Sequence, residues 1–272
     1  MSKHILLVHD LAGYGKVSLS AMVPVLSHMG HHLYTLPTAL VSNTLDYGKF
    51  YIQETTEYMR QSLKVWAELG FSFDVVSTGM ILSAEQAALV SDFCEQSAKK
   101  GALVFVDPIM GDEGKLYNGV GEETIAHMRK MVAVADCIVP NYTEAAYLAD
   151  MPYHEDMTEE EARALTIRLH AMGAKSVVVT SAKVDGENCV VGYDGMEGEF
   201  FRIPFDLIPV RFVGTGDIFA AVMLGRLVDG VPLQESTHRA MDAVRTMIDR
   251  NRDKEDKYLG IPIETCLEVL DE

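Results

Sequence analysis

The sequence lacks an excess of positive charge. Its 272 residues include 23 Lys and Arg against 40 Asp and Glu, which gives a formal net charge of −17 at pH 7. Proteins that bind nucleic acid or anionic membranes present basic patches, because phosphate groups must be neutralised. No such patch is visible, so we expect no nucleic-acid partner and no membrane partner. An anionic substrate would be held by main-chain amides, metal ions and a few cations.

Paired cysteines, histidine ligand motifs and long apolar runs are also missing. The four cysteines are scattered without the spacing of a zinc or redox site, and the nine histidines form no H-E-x-x-H pattern. No apolar run approaches the ~20 residues that a membrane-spanning helix requires. The first four residues lead directly into a strand-like segment, so we predict no signal peptide and a reducing, cytoplasmic location.

What the sequence does contain is an alternation of short aliphatic runs, such as Ile5–Val8 and Leu103–Val106, with longer helical patterns. Parallel strands need crossover helices, so the alternation predicts an α/β fold with a doubly wound, mainly parallel sheet flanked by helices. Two alternating runs around Asp194-Gly195 predict a small antiparallel hairpin addition. No linker, repeat or low-complexity tract interrupts the chain, so we expect a single domain over residues 1–272.

Polar residues follow the ends of the predicted strands. They are His9, Asp10, Thr38 to Asn43, Thr78, Asp107, Asn141, Thr180, Ser181 and Gly214 to Asp217. Ligands of open parallel sheets bind at the carboxyl ends of the strands. The sequence therefore predicts one binding edge that these residues share.

The segment Gly214-Thr215-Gly216-Asp217 runs straight into the apolar stretch Ile218–Leu224. Two glycines let a turn approach a ligand closely, and a helix start directs N–H groups and a positive dipole end at an anion. A carboxylate at such a point would repel phosphate unless it serves proton chemistry. We interpret Asp217 as the base that deprotonates an attacking alcohol, and the turn amides as the anion hole for a transferring phosphoryl group. A plain loop with an Asp helix cap is the alternative.

Two further segments carry acids in suggestive positions. Asp107 and Asp112 lie five residues apart across a Pro/Gly turn, and near phosphates they suit Mg²⁺, directly or through its waters. Asn141 and Glu144 lie three residues apart at a helix start and can share a face. The alternatives are a polar turn for the first segment and a helix cap by Glu144 for the second.

The segment Asp10–Ser18 looks like a phosphate-binding P-loop but fails at two positions. Asp10 stands where the first glycine belongs, and Val17 stands where Ser or Thr must follow the lysine. We therefore reject a P-loop and interpret Gly13 and Gly15 as a tight turn under the substrate.

With these motifs assembled, the chain resembles the ribokinase superfamily and, within it, the pyridoxal/pyridoxamine (vitamin B6) kinases. The resemblance covers essentially the whole chain and is carried by Asp107–Tyr117, Pro140–Glu144, Val213–Asp217, Gly13-Tyr14-Gly15 and Ser42-Asn43. It implies a ribokinase-like fold and ATP-dependent phosphorylation of the hydroxymethyl group of pyridoxal, pyridoxamine or pyridoxine. It also implies use of ATP and Mg²⁺, a monovalent cation such as K⁺ in many members, and a homodimer.

The resemblance further implies roles for individual residues. Asp217 activates the vitamer hydroxyl, and the anion hole consists of Gly214, Thr215 and Gly216. The vitamer side comprises His9, Asp10, Gly13, Tyr14, Asn43, Thr44 and Met80. The nucleotide side comprises Asp107, Tyr117, Asn141, Thr180, Ser181, Val210 and Phe212. The metal side comprises Asp107, Asp112 and Glu144.

The vitamer side departs from the family pattern. Met80 stands where an aromatic residue often packs on the pyridine ring, Thr44-Leu45 replace a common His-Thr pair, and His9-Asp10 replace a Gln-Ser or Asn-Asp type of pair. A pocket that hydrogen-bonds its substrate discriminates strongly, so such changes can alter which alcohol fits. A hydroxymethylpyrimidine or other small-alcohol kinase is the nearest alternative. A non-catalytic protein that binds a B6 vitamer is the alternative of a different class.

Overall fold

Strands and helices alternate along most of the chain in the computed structural model, which describes residues 2–117 and 120–271. The strands are β1 (His4–Val8), β2 (Leu11–Ala12), β3 (His32–Thr35), β4 (Ala39–Val41), β5 (Ile52–Glu54), β6 (Val75–Thr78), β7 (Leu103–Val106), β8 (Gly111–Asp112), β9 (Lys115–Leu116), β10 (Cys137–Ile138), β11 (Ser176–Val184), β12 (Glu187–Asp194) and β13 (Glu199–Pro204). The α-helices are α1 (Leu19–His28), α2 (Thr56–Glu68), α3 (Ala84–Lys99), α4 (Glu122–Val132), α5 (Tyr142–Ala149), α6 (Glu159–Ala171), α7 (Thr215–Val228) and α8 (Leu233–Asn251). Short 3-10 helices cover Leu45–Tyr47, Ile263–Thr265 and Leu267–Asp271.

The first of two compact units comprises Met1–Val75 and Ile208–Glu272. Here β1 and β3 pair in parallel, and β2, β4 and β5 form a small sheet in which β2 is parallel and β5 antiparallel to β4. Helix α7 packs against α1 and α8 and is buried along the whole of Ile218–Gly225. Each large aliphatic side chain buried there contributes about 1.5–3 kcal/mol, so the helix start is anchored in the core.

The second unit comprises Val76–Leu207, with the strand order β6-β7-β10-β11-β12-β13. Strand β10 is parallel to β7 and β11, while β12 is antiparallel to β11 and β13. Helix α3 contacts β7, and α5 and α6 contact β11. The prediction of a mixed α/β fold with a large, mainly parallel sheet, flanking helices and an antiparallel hairpin is confirmed.

Local sequence signals explain where several helices begin. The Ser83 hydroxyl accepts a hydrogen bond from the Gln86 amide at 3.3 Å, so Ser83 is the N-cap of α3. Thr158 and Glu161 form a reciprocal capping box at the start of α6. Helix α1 begins at Leu19, directly after Ser18, which has a positive φ of 51° that is incompatible with a right-handed helix.

None of the helices in the described ranges is both long enough and apolar enough to cross a lipid bilayer.

Candidate functional site

The turn that precedes α7 has the geometry expected of a glycine-dependent helix start. Gly214 adopts φ 80° and ψ 2°, in the left-handed region, and a Cβ atom placed there would overlap the carbonyl oxygen of Lys16. Glycine is therefore required by both conformation and space. The close approach is to the protein's own Lys16 main chain and Val17 side chain, whereas a Cβ on Gly216 would meet no atom within 4 Å.

Asp217 lies in the first turn of α7, where the helix geometry leaves N–H groups without intrahelical acceptors. Asp217 has an intermediate exposure, and desolvation of its carboxyl raises the pKa to about 7. The charge of Asp10 raises the pKa further, and the main-chain N–H of Ser18 opposes this by stabilising the carboxylate. A carboxyl that titrates near neutral pH is suited to accept a proton from a substrate and pass it on.

His9 and Asp10 follow β1 and are both buried, with exposures of 0% and 7%. Burial lowers the pKa of His9 to about 3, so its imidazole is neutral at physiological pH. Burial raises the pKa of the Asp10 carboxyl, and the nearby hydroxyl of Ser18 partly offsets that effect. These two positions therefore provide a neutral ring and a second desolvated acid in the unit that holds Asp217.

The other vitamer-side candidates of the first unit lie in two turns, one around Gly13 and Tyr14 and one around Asn43 and Thr44. The Gly13 amide donates to the Val41 carbonyl at 2.7 Å, which joins the turn to β4. The Asn43 side-chain amide donates to the carbonyls of Thr44 and Lys49, at 3.0 and 2.9 Å, so this residue shapes its own loop. Tyr14 is 56% exposed, so its ring is open to a ligand.

A segment that sequence reasoning missed, Asp256–Gly260, joins the turns that carry these candidates. The Thr44 hydroxyl donates to the Tyr258 carbonyl at 2.7 Å, and the Lys16 amide donates to the Leu259 carbonyl at 2.8 Å. The Tyr47 hydroxyl contacts the Asp256 carboxylate at 2.5 Å. Asp256 and Lys257 look in the sequence like part of an ordinary surface loop, and Gly260, which has φ 85°, is a local turn signal.

Val210 and Phe212, both predicted for the nucleotide side, precede the glycine turn in the first unit. Phe212 is only 3% exposed, and the ammonium group of Lys257 lies 5.0 Å from the centre of its ring. Val210 keeps an intermediate exposure. Phe212 thus supports the turn from within the core, while Val210 has surface available for a ligand.

In the second unit, Asp107 and Asp112 flank the turn after β7. The Asp107 amide donates to the Thr78 carbonyl at 2.9 Å, and the residue is 9% exposed. The Asp112 carboxylate accepts the Glu113 amide at 2.9 Å and is partly exposed. Gly111 lies between them in a hairpin so tight that a Cβ would overlap the Lys115 carbonyl oxygen. The turn therefore holds two carboxylates on one short, constrained loop.

Glu144 connects this turn to the start of α5. One carboxylate oxygen accepts the Met110 amide at 2.9 Å, and the other accepts the Asn141 amide at 2.8 Å. Asn141 completes a capping box by accepting the Glu144 amide, and its side-chain amide donates to the Gly111 carbonyl at 2.8 Å. The capping alternative for Glu144 is thus confirmed, and both of its oxygens already hold main-chain amides.

We predict that Glu144→Gln lowers the free energy of unfolding by about 1–3 kcal/mol, because the new amide group would face a main-chain donor. Burial raises the pKa of Glu144 to about 8, and the charge of Asp112 adds to this effect. A carboxyl whose folded pKa exceeds its unfolded value makes the protein less stable as pH rises between those values. Urea titration should therefore show that the difference in unfolding free energy between wild type and Glu144→Gln becomes smaller from pH 5 to pH 8.

Glu161→Gln is the matched control, because Glu161 occupies the same capping-box position of α6. The Thr158 interactions lower the pKa of Glu161, so its contribution is lost only as pH falls. We expect Glu161→Gln to lose less unfolding free energy than Glu144→Gln, and this loss should not become smaller towards pH 8. Equal losses and equal pH trends in the two variants would contradict the role assigned to burial at Glu144.

The remaining candidates of the second unit are dispersed along strand ends. The Tyr117 amide donates to the Met110 carbonyl at 2.9 Å, and its side chain is 40% exposed. Thr180 bridges to Asn141 across neighbouring strands, and the exposed Ser181 has φ 55° at an irregularity in β11. Met80 follows β6 and is partly exposed. Asn141, Thr180 and Tyr117 thus belong to one network with the Asp107–Asp112 turn, while Met80 follows a different strand.

The metal-side residues have donors that fit Mg²⁺, which prefers carboxylate oxygens, few protein ligands and retained water. In residues 2–117 and 120–271, no group of three or more His, Cys, Asp or Glu side chains is arranged to hold a metal ion. Asp107 and Asp112 supply two carboxylates, which matches a cation bound partly through water and phosphate. Glu144 fits a supporting role, since main-chain amides occupy both of its oxygens.

Comparison with known proteins gives a consistent set of similarities. A family model described as phosphomethylpyrimidine kinase matches residues 19–260. A Bacteroides thetaiotaomicron structure containing pyridoxal, provisionally described as a phosphomethylpyrimidine kinase, is 34% identical with a TM-score of 0.95, covering 100% of this chain and 96% of that chain. The pyridoxal kinase structure from Lactobacillus plantarum is 29% identical with a TM-score of 0.88, covering 98% of this chain and 96% of that chain.

Among curated relatives, the Arabidopsis thaliana pyridoxal kinase is 33% identical over 171 residues, which are 60% of this chain and 53% of that protein. The match therefore spans about half the length of this curated relative.

Proposed function

Because the chain belongs to the phosphomethylpyrimidine kinase family, we propose that it transfers the γ-phosphoryl group of ATP to the hydroxymethyl group of a B6 vitamer. Pyridoxal, pyridoxamine and pyridoxine are the candidate acceptors. The relatives described as pyridoxal kinases and the related structure that contains pyridoxal support this choice. The resemblance to vitamin B6 kinases carried by the sequence motifs points the same way.

The observation that carries the proposal is Asp217 in the first turn of α7, with a pKa raised to about 7 beside the amides of the Gly214–Gly216 turn. In the proposed step, the carboxylate takes the proton of the substrate hydroxyl. The hydroxyl oxygen bonds to the γ-phosphorus, the bond from that phosphorus to the β–γ bridging oxygen breaks, and ADP leaves. The amides of Gly214, Thr215 and Gly216 stabilise the charge that develops on the phosphoryl oxygens.

The substrate side of the proposed site consists of the Gly13–Tyr14 and Asn43–Thr44 turns of the first unit, together with His9 and Asp10 at the end of β1. The buried His9 presents a neutral imidazole, and the exposed Tyr14 presents an aromatic face for a pyridine ring. The further proposed vitamer contacts are Asp10, Gly13, Asn43 and Thr44 in the first unit and Met80 in the second. Asn43 and Thr44 act mainly by fixing loop shape, since their side chains already bond main-chain carbonyls.

The nucleotide side consists, in this proposal, of Asp107, Tyr117, Asn141, Thr180, Ser181, Val210 and Phe212. Asp107 and Asp112 would hold Mg²⁺ with help from Glu144, and the cation would neutralise phosphate charge. Glu144 and Asn141 keep the Asp107–Asp112 turn in place through their main-chain hydrogen bonds. A monovalent cation such as K⁺ completes the proposed ion requirement.

We further propose that the 272 residues act as one kinase domain, that the protein is a homodimer, and that it is cytoplasmic. The family match extends over parts of both compact units, which supports a single functional domain. An exposed apolar face on the β2–β4–β5 sheet supports the dimer: Leu11 and Leu40 are paired neighbours with exposures of 38% and 42%, and Tyr51 is 67% exposed. Sedimentation equilibrium of the intact protein measures the oligomeric state directly.

The decisive experiment measures ADP formation with ATP, Mg²⁺ and a panel of candidate alcohols. We expect turnover with at least one B6 vitamer and a higher kcat/KM for that vitamer than for hydroxymethylpyrimidine. ADP formation that depends on the vitamer would exclude a non-catalytic carrier. Absence of turnover with all three vitamers would overturn the proposal.

A kinase that acts on hydroxymethylpyrimidine or its phosphate is the second candidate. The description of the matching family favours it, and so does Met80, which stands where B6 kinases often have an aromatic residue. The same panel decides between the two, because a higher kcat/KM for the pyrimidine alcohol would select this alternative.

A further inference from the structure

Three exposed tyrosines from distant parts of the first unit lie next to one another at its surface. The ring centres of Tyr14 and Tyr47 are 6.0 Å apart, and those of Tyr47 and Tyr258 are 5.6 Å apart in an edge-to-face arrangement. Tyr14 is 56% exposed, Tyr47 37% and Tyr258 48%. We call these three residues the tyrosine cluster. The fold therefore assembles a continuous aromatic surface and leaves it open to solvent.

Hydrogen bonds between the three segments fix the positions of these rings. The Tyr14 carbonyl accepts the Thr44 amide at 3.1 Å, and the Thr44 hydroxyl donates to the Tyr258 carbonyl at 2.7 Å. The Tyr47 hydroxyl donates to one oxygen of the Asp256 carboxylate at 2.5 Å. That bond raises the pKa of Tyr47 to about 12, so the hydroxyl stays protonated and keeps donating. The chain itself therefore preorganises the cluster.

Asp256 organises the loop that carries Tyr258. Its other carboxylate oxygen accepts the amide of Tyr258 at 3.0 Å and the amide of Leu259 at 3.2 Å. One side chain therefore shapes this loop and also holds the hydroxyl of Tyr47. An apolar residue at this position could do neither, because it offers no acceptor to the amides or to the hydroxyl.

The segment that carries Tyr258 also packs against the turn that precedes α7. The Leu259 carbonyl accepts the Lys16 amide at 2.8 Å, and the Lys257 carbonyl accepts the Val213 amide at 3.4 Å. A Cβ on Gly260 would lie only 2.9 Å from the Lys16 carbonyl oxygen and 3.3 Å from that of Val213. These contacts place the tyrosine cluster and the glycine turn on one connected framework.

Fold stability alone gives little reason for three neighbouring exposed rings, and contiguous exposed apolar surface commonly marks a binding site. A tyrosine ring loses little conformational freedom on binding, and it can stack on another flat π-system or meet it edge to face. Such contacts depend little on the substituents of the bound ring, because every aromatic ring has a π-face. The cluster therefore suits a planar heteroaromatic ring better than an aliphatic alcohol.

We propose that the tyrosine cluster binds the planar ring of the alcohol substrate, with Tyr47 and Tyr258 as specificity-determining residues and Asp256 as a positioning residue. The inference rests on the proposed kinase function and adds these three residues to its substrate side. Contact with the cluster selects six-membered heteroaromatic rings that carry a hydroxymethyl group. Asp256 acts through Tyr47 and Tyr258 and does not touch the substrate itself.

Steady-state kinetics provide the first test of the cluster. Tyr47→Leu and Tyr258→Leu should each raise the KM for the preferred ring alcohol about 3- to 10-fold, the effect of one lost aromatic contact. The KM for ATP should stay within about two-fold, because the lost contact is made to the alcohol. Tyr258→Phe keeps the ring and should behave like wild type. Tyr58→Leu is the matched control, because Tyr58 is 54% exposed on α2 of the same unit and lies outside the cluster.

Asp256→Ala tests the positioning role, since it keeps all three rings but removes the acceptor of the Tyr47 hydroxyl. We expect it to raise the KM for the ring alcohol at least about three-fold. Combined with Tyr47→Leu, it should raise KM by less than the product of the two single effects, because both changes act through the same ring. Fully multiplicative effects would contradict a role of Asp256 through Tyr47.

A binding measurement separates this inference from the proposed function. Equilibrium dialysis of pyridoxine, and separately of hydroxymethylpyrimidine, gives dissociation constants that require no turnover. For the alcohol that binds more tightly, Tyr47→Leu and Tyr258→Leu should raise the constant about 3- to 10-fold, and Tyr58→Leu should leave it unchanged. If binding depends on the cluster in this way but no alcohol yields ADP, the kinase function fails while ring recognition stands.

Three results would overturn the inference. The first is an unchanged dissociation constant in both leucine variants, even if wild type phosphorylates the alcohol. The second is that wild type binds neither alcohol, with or without ADP. The third is a change in sedimentation of the leucine variants without a change in KM or dissociation constant, which would assign the cluster to a contact between subunits.

Discussion

Asp217→Asn is expected to lower kcat by about 10²- to 10⁴-fold, the range that a positioned general base contributes. Asparagine keeps the size of the side chain but cannot take the proton of the attacking hydroxyl. The main-chain groups of the turn remain, so the affinity for ATP should change little. Steady-state kinetics with the preferred alcohol, together with calorimetric titration of nucleotide, measure both effects.

The fold of this variant should be at least as stable as that of wild type. The Asp217 pKa lies at about 7 in the folded protein, above its ordinary value of 3.8, so ionisation of the side chain favours the unfolded chain as pH rises between these values. Asparagine removes that cost, and thermal unfolding at pH 8 will detect it. Asp229→Asn, at the exposed far end of α7, is the matched control and should keep full activity. A near-normal kcat for Asp217→Asn would exclude the assigned role.

Gly214→Ala is expected to lower both stability and activity. A left-handed backbone costs an L-residue with a side chain about 1–2 kcal/mol, and the added Cβ would also overlap the Lys16 carbonyl oxygen. Because that contact is with main chain, relief requires the Lys16–Ser18 segment to move. We expect a loss of at least about 2 kcal/mol in unfolding free energy and a fall in kcat of about 10²-fold.

Gly216→Ala separates this steric effect from the chemistry of the turn. A Cβ at Gly216 meets nothing within 4 Å and Gly216 lies within α7, so the variant should unfold at the same urea concentration as wild type or at a higher one. Any loss of kcat in Gly216→Ala then reports close approach of a ligand to the turn. Equal stability of the two alanine variants would contradict the contact with Lys16.

The sequence predicted those elements whose signals are local. Ser83 caps α3 because its hydroxyl reaches an amide three residues on, and the N-x-x-E spacing of Asn141 and Glu144 produces a capping box. The short strands Ala39–Val41 and Ile52–Glu54 had no comparable signal. They are three residues each and form because β2 and β4 are brought together by the tertiary fold, which no local pattern encodes.

In the candidate site, too, some residues could be recognised from the sequence and others only from the structure. The glycine turn with Asp217 was apparent from residue types, because glycine, helix start and acid lie within four positions. The positive φ of Ser18 is a feature of its main-chain conformation, and Asp256 contributes through contacts with distant turns. A serine after a failed P-loop match and an acid in a polar stretch look ordinary in a linear sequence.

The Asp256–Gly260 segment also determines when the first unit can be completed. Its bond from Thr44 to Tyr258 closes a separation of 214 residues, whereas the second unit is continuous in sequence. On a ribosome that adds about 5–20 residues per second, the stretch between residues 207 and 260 takes roughly 3–10 s to synthesise. During that interval a nascent chain can form the second unit while the turns of Gly13, Thr44 and Gly214 still await the segment that joins them. Order of synthesis, rather than contact strength, thus decides when the glycine turn takes its final shape.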